Sequence, residues 1–264
     1  MEIIMDSIRK PAVAGTFYPD EPGELKEMVE KFLDEAEEKK IPGKLRALIS
    51  PHAGYVYSGP VAAYAYKLLQ KEKFSKIILL GPTHFAAFFG AAQSGVDGWQ
   101  TPLGIVECGL LKLDTELFST LQEVHAPEHS LEVQIPFLQV VMKNDFTIYP
   151  ILIGDANHEK IAEALLDQID DKTLIIASSD LSHYNPYEKA IKLDSLCNKV
   201  IPALDIDTMK ESGDACGKSP ILVLMHIAKK KGWGATLLDY RNSGDTAGSR
   251  DAVVGYGAYA FYEE

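Results

Sequence analysis

Four apolar runs in this chain, LRALIS, KIILLG, FTIYPILIG and TLIIASSD, carry hydrophobic residues at consecutive positions instead of every second one. A strand with one wet face alternates, whereas a strand covered on both faces need not. Helical spacing fills the intervals between the runs. DEPGELKEMVEKFLDEAEEKK sets Leu25, Met28, Val29, Phe32 and Leu33 on one face, with acids early and lysines late, as the helix dipole favours. PVAAYAYKLLQ and HEKIAEALLDQI read the same way. Doubly buried strands separated by helices predict an α/β fold, a central mixed, mostly parallel sheet with helices on both faces. The short apolar runs and Gly/Pro breaks of 88–113, and the closing ATLLDY and AVVGYGAYAFY, predict antiparallel additions. Helices are also expected around 114–122, across 128–143 with Pro136 kinking or starting the second, and over 186–230. With no linker, repeat or low-complexity tract in 264 residues, 1–264 reads as one domain.

Three of these runs end on chemically active side chains. ALISPHAGY delivers His52, LLGPTHF delivers His84, and LIIASSDLSHY delivers Asp180 and His183. In parallel α/β sheets, ligands bind beyond the carboxyl ends of the strands, so these residues are aimed at one rim. The other histidines are less telling. His158 reads as an exposed neighbour of a helix cap, His226 as a packed helical residue, and His125 has no distinguishing context. PEHSLEVQ crowds Glu128, His129, Glu132 and Gln134 at a helix start, which has two readings. The acids complement the helix dipole with Ser130 as a cap, or the helix tip lines a pocket with His129 and Glu132.

Cys216 precedes GKSPILVLMHIAKKK, where Ser219 is a natural N-cap and Pro220 a natural first helical residue. A helix N-terminus and Lys218 beside the thiol favour a thiolate, suited to metal ligation or nucleophilic chemistry. Cys108 and Cys197 sit in periodic apolar contexts and read as small buried residues. Gly217-Lys218-Ser219 resembles the tail of a phosphate loop, but residue 212 is serine where the loop needs glycine. Two strand-end histidines and a thiolate are metal ligands of intermediate-to-soft character, and their remoteness in sequence speaks for an open reactive site. Asp180, three residues before His183, could orient that imidazole, which in turn could shuttle a proton. A formal net charge of −12 argues against nucleic acid and anionic membranes as partners. No apolar run approaches the roughly 20 residues of a membrane span. MEIIMDSIRK lacks the order of a secretory signal, and three scattered cysteines predict a reducing cytoplasm.

PAVAGTFYP, SPHAGYVYSGPVAAYAY, GPTHF, EHSLEVQIPFL, SSDLSHY, ACG and NSGD…VVGYGAYAF, in that order, resemble the Memo family over nearly the whole chain. The resemblance implies a fold like that of the class III extradiol dioxygenases, which are non-haem iron enzymes. It implies that His52 and His84 are metal ligands, that His183 takes the acid/base position with Asp180 beside it, and that Cys216 stands where the dioxygenases carry a glutamate ligand. Thiolate in place of carboxylate softens the site, so one metal ion is expected, iron first, with copper or zinc as alternatives. The resemblance further implies a radical-SAM protein and an AMMECR-type domain protein as partners. The expected function is a metal-dependent redox or protein-modification enzyme, an oxidoreductase among the candidates, with a peptide as one candidate substrate. The alternative is a non-catalytic adaptor that binds a peptide or partner in a retired pocket. Substrate contacts are expected from His129, Glu132 and Tyr55, the last within an aromatic set with Tyr57, Phe85, Phe88 and Phe89.

Overall fold

The structure is a computed structural model describing residues 7–264; the reading of the first six residues as lacking an export signal lies outside the described residues. The chain runs β1 (Ile8–Arg9), α1 (Pro22–Glu35), β2 (Lys44–Ser50), α2 (Tyr55–Lys67), β3 (Lys76–Pro82) and β4 (Ala91–Gln93). It continues with β5 (Gly98–Thr101), β6 (Gly104–Cys108), β7 (Phe118–Thr120), α3 (Gln122–His125), α4 (Ile135–Val141) and β8 (Thr147–Ile153). The last part comprises α5 (His158–Leu166), β9 (Thr173–Ser178), α6 (Tyr187–Val200), α7 (Ile206–Ser212), α8 (Lys218–Lys231), β10 (Gly234–Asn242), α9 (Ser243–Thr246) and β11 (Gly255–Glu263).

Among the described residues eleven strands join one mixed sheet, whose main path is β1-β5-β6-β8-β3-β9-β2-β11-β10. Its centre, β8-β3-β9-β2, is parallel, as the doubly apolar runs require. Consecutive residues of these strands enter two different cores. Leu48, Leu79 and Ile176 pack on the face covered by α1, α2 and α4. Ile49, Leu80 and Ala177 pack on the opposite face under α5, α6 and α8. Each fully buried leucine of this kind is worth about 2–5 kcal/mol against alanine, so the two cores dominate stability. The closing hairpin is antiparallel, and β11 also runs antiparallel to β2. Pro150 sits inside β8 without breaking it. It falls between Thr147–Ile148, which pair with β6, and Ile151–Ile153, which pair with β4.

Some local expectations are corrected. The pattern at 114–122 is a turn and then β7, because Phe118–Thr120 pairs with β4. The single helical region at 186–230 is three helices, broken where Leu204 takes a positive φ of 51° and Asp205 caps α7. Pro136 begins a helix: it is the second residue of α4, after a 3-10 turn at Glu132–Gln134. The strands of 88–113 are antiparallel between β5 and β6, but β6 is parallel to β8. Among the described residues, no helix is long and apolar enough to cross a membrane.

The connections leaving β2 and β9 create a crevice. These neighbouring strands send their chains to opposite faces, β2 into α2 and β9 into α6. Ligand crevices in open α/β sheets form at such a divergence.

Candidate metal centre

Three adjacent parallel strands deliver their polar residue at the same offset. His52 follows the end of β2 by two residues, His84 follows β3 by two, and Asp180 follows β9 by two. Matching offsets on parallel neighbours bring the side chains level. The His52 and His84 ring centroids lie 5.3 Å apart, edge to face.

Cys216 arrives from the other side of the sequence. Gly217 abuts the end of β9, where a Cβ would lie 2.4 Å from the Ser178 carbonyl oxygen. Only glycine permits that approach, and it seats the preceding thiol beside the strand end. The Cys216 N–H donates to the Asp180 carbonyl at 3.2 Å, and Gly217 N–H to Ser179 Oγ at 3.0 Å. Cys216 Sγ then lies 3.1 Å from His52 Nε2. One donor atom each from His52, His84 and Cys216 falls within 4.8 Å of the others, a grouping able to hold a metal ion.

Hydrogen bonds fix which ring nitrogens face inward. Ser178 Oγ donates to the Ser130 carbonyl at 2.6 Å and accepts from Gln134 Nε2 at 2.7 Å. Its proton is therefore committed, so the contact at 2.9 Å from His52 Nδ1 is an N–H donation by the imidazole. Nε2 keeps its lone pair and turns it toward Cys216. His84 is held alike: Glu128 Oε1 accepts from Nδ1 at 2.9 Å and Oε2 accepts from the His84 backbone N–H at 2.6 Å. Supports of this kind orient metal-binding imidazoles. The residues fit a resident metal because both imidazoles are engaged through Nδ1, which leaves their Nε2 atoms to a ligand beside a thiol.

The charges agree with that arrangement. Burial holds His52 well below the usual histidine range, and the neighbouring His129 and His84 add to the effect, so the ring is neutral. Burial alone would raise the Glu128 carboxyl, but hydrogen bonds from His84 and Ser130 outweigh it and hold the group down at about 2. Burial raises Asp180, although the His52 N–H that it accepts at 2.7 Å opposes the rise. The thiolate expected from the helix N-terminus is corrected. The N-cap is Gly217, not Ser219, and burial together with Asp180 pushes the Cys216 thiol up. A bound cation is what would draw the proton off.

A cavity of about 580 Å³ opens over the imidazoles, lined by Phe17, Tyr57, His129, Asp180, His183 and Tyr184 among others. The His183 Nδ1–H donates to the Leu181 carbonyl at 2.8 Å, and the residue lines the cavity. His129 stacks on His84 at 4.7 Å and faces Phe17 at 4.7 Å. Burial lowers its protonation range, against the pull of Glu128. Tyr184 combines a φ of +56° with 77% exposure at the pocket mouth, a strained placement for an aromatic residue.

Two expected substrate contacts lie elsewhere. Glu132 is fully buried, and its carboxylate accepts from Arg9 Nη1, Tyr18 Oη and the backbone N–H groups of Ala12 and Val13. With four donors engaged it anchors the N-terminal segment and does not line the pocket. Tyr55 is 2% exposed and donates its hydroxyl to the Val133 carbonyl, so it belongs to the core. Of the other aromatics, Phe85 is exposed near His129, Phe88 lines a separate cavity, and Phe89 is exposed. His125 is buried against the Ala92 carbonyl, and His158 contacts Ser219 Oγ as first residue of α5. Phe17 and the orienting role of Glu128 were not foreseen. The signal for Phe17 was Gly15, whose φ of +77° turns PAVAGTFYP back on itself.

Comparison with known proteins agrees with the motifs. The profile of the family described as Memo-like protein matches residues 9–260. A MEMO1 family protein of Saccharolobus solfataricus is 38% identical over 284 aligned positions, covering 96% of this chain and 99% of the relative. A MEMO1 family protein of Saccharolobus islandicus is 38% identical over 96% of this chain and 99% of its own length. One from Sulfolobus acidocaldarius is 38% identical over 94% and 97% respectively.

Proposed function

This chain belongs to the Memo family, and on that premise we propose that it is a metal-dependent enzyme of redox or protein-modifying type. The observation that carries the proposal is the convergence of His52 Nε2, His84 and Cys216 Sγ, with both imidazoles locked as Nδ1–H donors by Ser178 and Glu128. When bound, the ion would supply Lewis acidity or electron transfer, and two nitrogens with one sulfur suit iron, copper or zinc. The chain's own groups do the rest. His183 moves a proton through Nε2. Asp180 holds the His52 backbone, and His129 with Phe17, their rings tilted by 51°, forms an aromatic corner for substrate. The cavity has the size of a small-molecule or side-chain site. Its exposed rim of Tyr57 and Tyr184 favours a peptide segment as substrate. On the family resemblance, a radical-SAM protein and an AMMECR-type protein act with it in the cytoplasm.

The same rim supports a second reading, an adaptor that binds a peptide without chemistry. Metal analysis of protein purified without chelator, wild type beside His52→Ala, tests the centre; equal metal in both samples overturns it. Pull-down of the radical-SAM partner with a variant altered at His52, His84 and Cys216 separates the two readings. Undiminished capture favours the adaptor.

A further inference from the structure

A second cavity, of about 290 Å³, lies behind the centre. Its lining includes Thr83, Ala87, Phe88, Asp155, Cys216 and Ser219. His52 and His84 line the larger pocket and Cys216 does not, whereas Cys216 lines this one and the histidines do not. The candidate centre is thus reached from two sides, nitrogen first from one and sulfur first from the other. The wall between them is the short loop after β3, with His84 turned to the large pocket and Ala86 and Ala87 turned to the small one.

Accepting the metal centre proposed above, we infer that the small cavity is the port through which the metal ion enters, leaving the large pocket to substrate. The chemistry along the two routes differs. The large pocket presents aromatic walls, and its carboxylate, Asp180, is buried and occupied by the His52 N–H. The small cavity is lined by an exposed carboxylate, Asp155, together with the hydroxyl of Ser219 and the thiol. Carboxylate and hydroxyl oxygens replace part of an incoming cation's water shell, and sulfur then takes over as the ligand. A chain with net charge −12 attracts cations generally, and Asp155 focuses that attraction at this entrance.

The test is the rate at which Co(II) loads into metal-free full-length protein, followed by sulfur-to-cobalt absorption in a stopped-flow instrument. Asp155→Asn removes the charge at the entrance, Ala87→Trp fills the cavity, and Ser249→Trp narrows the large pocket instead. The expected result is loading about tenfold slower in the first two variants, at wild-type rate in the third, with the same final absorption in all. Slow loading by Ser249→Trp with wild-type rates in the other two overturns the port. Absence of the sulfur-to-cobalt band in wild-type protein overturns the centre itself, a failure seen in the end point and not in the rate.

Discussion

Glu128 and Glu132 lie one helical turn apart in sequence, are equally buried, and serve different ends. Glu132 meets a guanidinium at 2.6 Å, a phenol and two backbone N–H groups, so every lone pair is directed at the protein's own frame. Arg9 in turn reaches the carbonyls of His125 and Glu128 and stacks over Trp99 at 4.2 Å. Glu128 instead receives an imidazole whose far nitrogen looks into a cavity. The difference teaches that burial of an acid does not mark a functional residue. What marks one is a partner with a reactive atom left over.

His52→Ala or Cys216→Ala is expected to abolish stoichiometric metal binding while the fold persists, read by metal analysis alongside circular dichroism; retained metal would remove the functional half of the contrast. Glu132→Ala strands a buried guanidinium and is expected to lower unfolding free energy by about 3–5 kcal/mol in urea titration. Metal stoichiometry per folded chain should be unchanged, and a loss confined to metal binding would reverse the two roles.

His125 supplies a pH test of the anchored half. Burial lowers its protonation to about 4, with Arg9 adding to the effect. The folded state therefore resists a proton that the unfolded chain accepts below about 6.5. Its contribution is complete above that pH and is lost as pH falls from there toward 4, by roughly 3 kcal/mol. Stability curves for wild type and His125→Gln should diverge in that window; parallel curves would contradict the assignment. The smallest expected effect sharpens the functional half. Glu128→Gln keeps the shape but weakens the hold on His84 Nδ1–H, and should cost about 10–100-fold in metal affinity. Competition titration measures it, and an unchanged affinity would make Glu128 a second anchor.

What the residue string could and could not reveal follows the range of the forces involved. Doubly apolar runs announce the central parallel strands, because local pattern and two-sided burial coincide there. The placement of His52, His84 and Asp180 is legible for the same reason, as each sits a fixed two residues beyond such a run. The helix expected at 114–122 fails because a three-residue strand is decided by its partner, here Ala91–Gln93, and not by its own spacing. PEHSLEVQ stays ambiguous in isolation because the donors that occupy Glu132 come from residues 9–18, far away in sequence. Cys216 misleads on protonation, since the helix end is a local cue and burial is not.

One feature of the sheet bears on how the molecule is made. β2, the strand leading to His52, is flanked on one side by β9 and on the other by β11, at Gly255–Glu263. A ribosome therefore releases LRALI long before either neighbour exists, and β11, the later of the two, completes the seal. Pairing over such separations is slow, and an unsealed apolar edge recruits strands from other nascent chains. Gathering the centre from such distant parts of the chain lengthens the time for which that edge stays open.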